Sequence, residues 1–219
     1  MTTTKAYKGL PMEGVIASWY ARTTYKDLKR HKLIAGQLAE KIPANGKVLE
    51  VAPGPGYFCI ELAKLGNYQI TGLDISKSFV EIARKNAAKA SLKIDFREGN
   101  ASAMPFENGT FDFTFCQAAF KNFSEPVKAI AEMYRVLRPG GTTVIIDLRH
   151  DASVEEITRE VKGMGLGPVN EAVVKWTFKQ MLLKSAYSIA EMKSMIAQTP
   201  FGKGRIDVGG VGFQVWLQK

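Results

Sequence analysis

Two cysteines and two histidines are all the thiol and imidazole chemistry that this chain of 219 residues offers. Cys59 and Cys116 form no metal-ligand spacing and no redox pair, so neither a metal site nor a disulfide framework is expected. Each reads more simply as a small buried apolar residue. No apolar run approaches about 18 residues, which excludes a helical membrane span. The opening "MTTTKAYKGLPMEG" lacks the apolar stretch of a secretory signal, and the cytoplasm is the simplest compartment. There is no internal repeat and no low-complexity linker. The composition is 46% hydrophobic and 23% charged, as in an ordinary globule, and the length supports a core that needs no disulfides.

Charge of one sign is in excess. The net charge is +9, and residues 1–41 alone carry eight Lys/Arg against three Asp/Glu. The stretch "RTTYKDLKRHK" holds most of that excess. It can steer an anionic substrate, a membrane surface or nucleic acid. The plainer reading is a solvated helix face.

The middle of the chain alternates short apolar runs with helical periodicity. "KVLEV", "YQITGLD", "KIDFREG", "FDFTFCQ" and "TTVIIDL" read as five strands. Helices are expected from about Gly56 to Leu65, from Lys77 to Ala90 with Ser78 and Glu81 as a capping box, and from Pro126 to about Leu137, where "RPGG" stops it. Strands alternating with helices imply βαβ units and a doubly wound α/β sheet. Ser153 with Glu156, and Ser188 with Glu191, are further capping boxes. The tail around Gly209 and Gly210 reads as a hairpin. The expected whole is a single domain with a mostly parallel seven-stranded sheet. Residues 1–44 form a helical cap, 45–150 the core, 151–187 a helical insertion, and 188–219 the last helix and closing hairpin.

The bend "APGPG" after "KVLEV" carries the chemistry. A dinucleotide site wants G-x-G-x-x-G with N–H groups facing a pyrophosphate. Here Gly54 and Gly56 fit, the third position is Cys59, and Pro53 and Pro55 remove two donors. Such a bend suits a ligand with a cationic part and no phosphate. Glu50 ends the first strand, and Asp74 ends the second, 18 residues past Gly56. An acid at that spacing can accept from both hydroxyls of a ribose. The plain alternative for Asp74 is an acid at a helix start, with Ser76 also able to cap.

"VLEVAPGPG", "GLDIS", "EGNASAMPFENGTFDF" and "EMYRVLRPGG" come in an order that resembles the class I S-adenosylmethionine-dependent methyltransferases, over about residues 45–149. The nearest likeness is to the small-molecule branch, which includes quinone-biosynthesis-type enzymes. The resemblance implies a Rossmann-like sheet, S-adenosylmethionine as methyl donor and S-adenosylhomocysteine as product. It also implies roles. Glu50 would hold the methionine amino group, and the backbone at Ala52, Gly54 and Gly56 would contact the methionine and ribose. Asp74 would take the ribose hydroxyls, with Ile75 against the adenine face and Asn100 and Ala101 at its edge. Gln117 would lie beside the methionine part, and Tyr20, from the helical cap, would touch its carboxylate.

Three departures from the family pattern stand out. Ala52 replaces the first glycine, so an ordinary L-residue backbone is expected there. Asn100 replaces an aspartate, though its amide oxygen still accepts. "AAFKNF" stands where many relatives have a histidine pair, which makes Lys121 and Asn122 candidate substrate contacts. Methyl transfer needs alignment more than it needs a base. His150, after the fifth strand, is the better base candidate of the two histidines, because cations surround His31. Arg149 is a candidate anchor for a substrate carboxylate or phosphate, or else half of a structural ion pair. "WTF" at Trp176 and "MLL" at Met181 read as an apolar substrate wall or as core. The favoured function is methyl transfer to a small molecule. Competing readings are an RNA or protein methyltransferase, a non-catalytic cofactor-binding protein, and a nicotinamide oxidoreductase. No RNA-binding module is visible, and N/D-P-P-Y/F is absent after the fourth strand, which disfavours nucleic acid as a partner.

Overall fold

The computed structural model describes residues 8, 12–25, 28–164, 167–177 and 183–219. Seven strands form one sheet: β1 (Lys47–Val51), β2 (Gln69–Asp74), β3 (Asp95–Glu98), β4 (Phe111–Gln117), β5 (Leu137–Leu148), β6 (Arg205–Gly209) and β7 (Gly212–Gln218). Their order is β3-β2-β1-β4-β5-β7-β6. Neighbours from β3 to β5 pair in parallel, while β7 runs antiparallel to both β5 and β6. The mostly parallel sheet with a terminal antiparallel hairpin is as the sequence predicts.

Period-two patterning puts alternate side chains on opposite faces, and both faces are covered. Val48, Phe113, Phe115 and Val144 point to one face. There they meet α2 (Leu28–Ala39), α3 (Tyr57–Ala63) and α4 (Lys77–Lys89) through Leu38, Phe58 and Ala83. Leu49, Val51, Cys116 and Ile145 point to the other. That face is covered by α5 (Pro126–Val136) and α8 (Ile189–Ala197), through Ile130, Met133 and Met192. Both cysteines are therefore core residues, one on each side of the sheet.

The insertion holds α6 (Val154–Gly163) and α7 (Pro168–Thr177). Ile157 and Val161 of α6 pack with Leu183 and with Val211 of the closing hairpin. Both capping boxes, Ser153–Glu156 and Ser188–Glu191, form. The box expected at Ser78 and Glu81 does not. Ser76 has the extended backbone of a cap, and its hydroxyl accepts from Phe79 N–H at 3.0 Å. Ser78 lies inside the first turn and serves the helix before it, α1 (Gly14–Thr24). Its hydroxyl accepts from Gly14 N–H at 2.9 Å, and its own N–H donates to Glu13. The Ser76 hydroxyl also donates to Met12 O. These bonds fasten the start of α1 beside the end of β2. "RPGG" lies within β5, where the pairing with β4 skips register, because α5 ends at Val136 and the chain is already extended at Leu137.

Candidate active site

The strand order reverses between β1 and β4, so the connections leaving their carboxyl ends diverge to opposite faces. That divergence opens a crevice where open α/β sheets bind ligands. A cavity of about 650 Å³ lies there. Its wall includes Glu50 and Ala52 at the end of β1, Asp74 and Ile75 at the end of β2, Asn100 and Ala101 after β3, and Gln117 at the end of β4. Tyr20 of α1, Gly54, Lys121 and Asn122 complete the predicted set that reaches it. The size suits a small molecule.

The bend explains why no phosphate cradle forms. Ala52 N–H donates to Leu73 O at 2.8 Å, Gly54 N–H to Asp74 Oδ2 at 2.9 Å, and Gly56 N–H to Pro53 O at 3.0 Å. With Pro53 and Pro55 contributing no N–H, the bend from Ala52 to Gly56 has spent its donors on the end of β2 and on its own turn. Ala52 corrects the expectation of an ordinary backbone. Its φ is +57°, in the left-handed region. An alanine is held there because its N–H completes the parallel ladder to Leu73 while the next residues must turn away. Ala118, after β4, has φ +54° and also faces the cavity. Two strained L-residues thus end the two adjacent strands that flank the crevice.

Gly54 (φ +54°) has open space where a Cβ would stand, whereas Gly56 does not reach the cavity. A Cβ on Gly56 would lie 2.8 Å from Phe96 Cζ and 3.0 Å from Ala83 Cβ. Gly56 packs the bend closely on β3 and α4, away from the cavity wall where a ligand contact is expected from the sequence.

The two acids are 4% and 5% exposed. Burial raises Glu50 to about 7, against hydrogen bonds from the Cys59 thiol and N–H that favour its charge. Burial likewise raises Asp74 to about 6, despite N–H groups from Ser76 and Gly54. No cation among the described residues is paired with either acid, which is what a site built to receive a cation would leave open. Among the described residues, Gln117 Oε1 is buried with no hydrogen-bond partner. Asn100 Oδ1 accepts from Ser102 N–H at 2.9 Å, which fixes the amide in a local turn.

Lys121 is 9% exposed, and its ammonium donates to Asp147 Oδ1 at 3.0 Å and Ala118 O at 2.9 Å. Asp147 also accepts the Lys121 N–H. The lysine therefore holds the segment after β4 against the end of β5. Arg149 and His150 do not line the cavity. The Arg149 guanidinium is consumed by both oxygens of Glu156 at 2.6 Å, by Asp151 and by Gly210 O. It clamps α6 to the hairpin rather than waiting for a substrate. His150 faces Glu191 at 3.5 Å. Of the two histidines it is His31 that lines the cavity, beside the Tyr57 ring. Sequence reasoning set His31 aside for its cationic neighbours, although its place in the helical cap was a usable signal. Glu13, Tyr57 and Ser185 are cavity residues it did not single out. Trp176 is 61% exposed on α7 and forms no substrate wall, and Met181 lies outside the described residues.

A switch-point crevice, a bend with no free N–H and two buried acids thus meet at one cavity of a Rossmann-like sheet. Residues 49–145 match the family model described as a methyltransferase domain. With that match and the relatives that follow, the chain is similar to the class I S-adenosylmethionine-dependent methyltransferases, whose donor is S-adenosylmethionine. It is 38% identical over 108 residues to a demethylmenaquinone methyltransferase of Deinococcus radiodurans, covering 49% of this chain and 45% of that one. It is 33% identical over 122 residues to the enzyme of that name from Thermus thermophilus, covering 55% and 54%. The chain spans about half the length of the curated relatives it matches. A solved structure from Methanococcus maripaludis, assigned to the S-adenosyl-L-methionine-dependent methyltransferases, superposes with a TM-score of 0.78 at 21% identity over 99% of this chain and 97% of that one. A SAM-dependent methyltransferase from Aquifex aeolicus gives 0.61, also at 21% identity, over 88% and 98%. At such identities the likeness is one of fold.

Proposed function

We propose that the cavity binds S-adenosylmethionine and that the chain transfers its methyl group to a small-molecule nucleophile. The observation that carries this reading is the pairing of a bend without free N–H donors with two buried acids that lack cationic partners. A pyrophosphate would be repelled there, and an adenosyl sulfonium with an amino group would be held. Glu50 receives the ammonium, Asp74 the ribose hydroxyls, and the unpartnered Gln117 Oε1 a donor of the methionine part. The bound donor supplies an activated methyl carbon. This chain's residues fix its direction, close off water and align an acceptor, which is worth about 7–11 kcal/mol of barrier.

The relatives' names point to an electron-rich aromatic acceptor such as a quinol, which we take as the first class to try. Two thiols that are buried and unpaired fit a reducing cytoplasm. The test is release of S-adenosylhomocysteine over a panel of quinols, phenols, thiols, amines and RNA. Turnover with a small molecule supports the proposal. Failure to bind S-adenosylmethionine, with tight uptake of NADH, refutes it. A second reading, an RNA substrate, draws on Arg30 at the cavity wall and on the exposed Lys29 and Lys32 beside it. It requires retention on RNA that weakens steeply with salt.

A further inference from the structure

The third position of the glycine pattern, occupied by Cys59, has no part in the reading above. Cys59 is the third residue of α3, whose cap position is Gly56 and therefore has no side chain to receive the helix's free N–H groups. Glu50 fills that gap from β1. The Cys59 thiol donates to Glu50 Oε2 at 2.8 Å, and its N–H, in the first turn, adds to what favours the carboxylate's charge. Both residues are fully buried in protein, yet Glu50 also reaches the cavity wall. We propose that Cys59 is a positioning residue for donor binding: its thiol pins the Glu50 carboxylate to the first turn of α3 and presents its remaining lone pairs to the ammonium of the methyl donor.

Burial, with Glu50 beside it, pushes the Cys59 thiol well above its ordinary range, so it stays protonated and donates. Among the described residues, the titratable groups that act on Glu50 are Cys59 of α3, Asp74 of β2 and Cys116 of β4, none of them a cation, while Glu13, Arg30, His31 and Lys121 line the same cavity. The ligand's ammonium is thus the counter-charge that Glu50 is built to receive. Donor affinity then rises with pH as Glu50 ionises, through about 7. A thiol donor favours the charged carboxylate, so losing it moves that transition to higher pH.

The inference rests on the proposed donor site, and the experiment separates the two. Carbon-13 NMR titration of the Glu50 carboxyl in unliganded protein is compared for wild type, Cys59→Val, Cys59→Ala and Cys59→Ser, with calorimetry of S-adenosylmethionine and S-adenosylhomocysteine binding from pH 6 to 9. We expect the Glu50 transition to move up in the valine and alanine variants and to return toward wild type in the serine variant, whose hydroxyl donates. Near neutral pH the donor Kd is expected to weaken about tenfold in the first two. Alanine, the smaller change, serves if valine does not fold. An unchanged transition and Kd in folded variants without the donor would overturn the positioning role, because a packing role moves stability but not these readouts. A shifted Glu50 transition with no saturable binding by wild type at any pH would refute the donor site instead.

Discussion

Gly54 and Gly56 are two residues apart, both left-handed, and the structure predicts opposite consequences for adding one methyl group to each. Alanine in that backbone region costs about 1–2 kcal/mol, offset by about 0.4–1 kcal/mol of lost freedom in the unfolded chain. At Gly54 nothing stands within 4 Å of the new Cβ, so the net is roughly 1 kcal/mol. At Gly56 the Cβ meets Phe96 Cζ at 2.8 Å and Ala83 Cβ at 3.0 Å. Overpacking adds about 1–3 kcal/mol, for a total of about 2–4 kcal/mol. In a chain of this size, that separates the melting temperatures as a fall of about 3 °C for Gly54→Ala and about 10 °C for Gly56→Ala. Binding reverses the order. Gly54 is in the cavity wall and Gly56 is not, so the variant that melts less binds S-adenosylmethionine more weakly. Differential scanning fluorimetry and calorimetry on the two proteins decide it. Equal losses of stability, or weaker binding confined to Gly56→Ala, would refute this account of the bend.

Other outcomes follow from the same geometry. Glu50 ionises at about 7 when folded and at about 4.5 when unfolded, so the folded form takes up its proton first. Glu50 therefore lowers the stability of the unliganded protein by roughly 3 kcal/mol as pH rises from about 4.5 through 7; Asp74, raised to about 6, adds a fall of the same sign at lower pH. Glu50→Gln removes only the Glu50 share, which is the whole of the slope between about 6 and 7 in urea titrations, while weakening donor binding. Lys121→Met leaves Asp147 buried without its counter-ion, at a loss of about 3 kcal/mol and a melting point lower by about 5–10 °C. His150→Ala leaves S-adenosylhomocysteine release within about twofold of wild type, since its ring faces Glu191 outside the cavity. A larger loss would return His150 to the candidate bases.

Much of this was legible from the chain alone, and what was not has physical causes. Strands β1 and β4 were read to the residue because both sheet faces are covered, which makes their apolar runs continuous. The placement of Asp74 and Gln117 at the cavity was legible because both close strands on the carboxyl side of a parallel sheet, where open α/β crevices form. Ala52 was misread because residue type argues against a positive φ, and only the ladder bond to Leu73 holds it there. Ser78 was misread as a cap because the box pattern is local. The docking of α1 onto the start of α4, which claims that hydroxyl, is not. Arg149 read equally as a substrate anchor or as half of an ion pair, and the partner, Glu156, comes round on α6 seven residues on.

The bond from Gly54 N–H to Asp74 Oδ2 joins two sequence motifs that are usually described one at a time. Through it the turn and the acid form a single mechanical piece, and neither can be retuned alone. Substitutions at Gly54 and Asp74 will therefore combine non-additively in a double-mutant cycle. An engineer who wants a different nucleoside in this crevice must redesign both together.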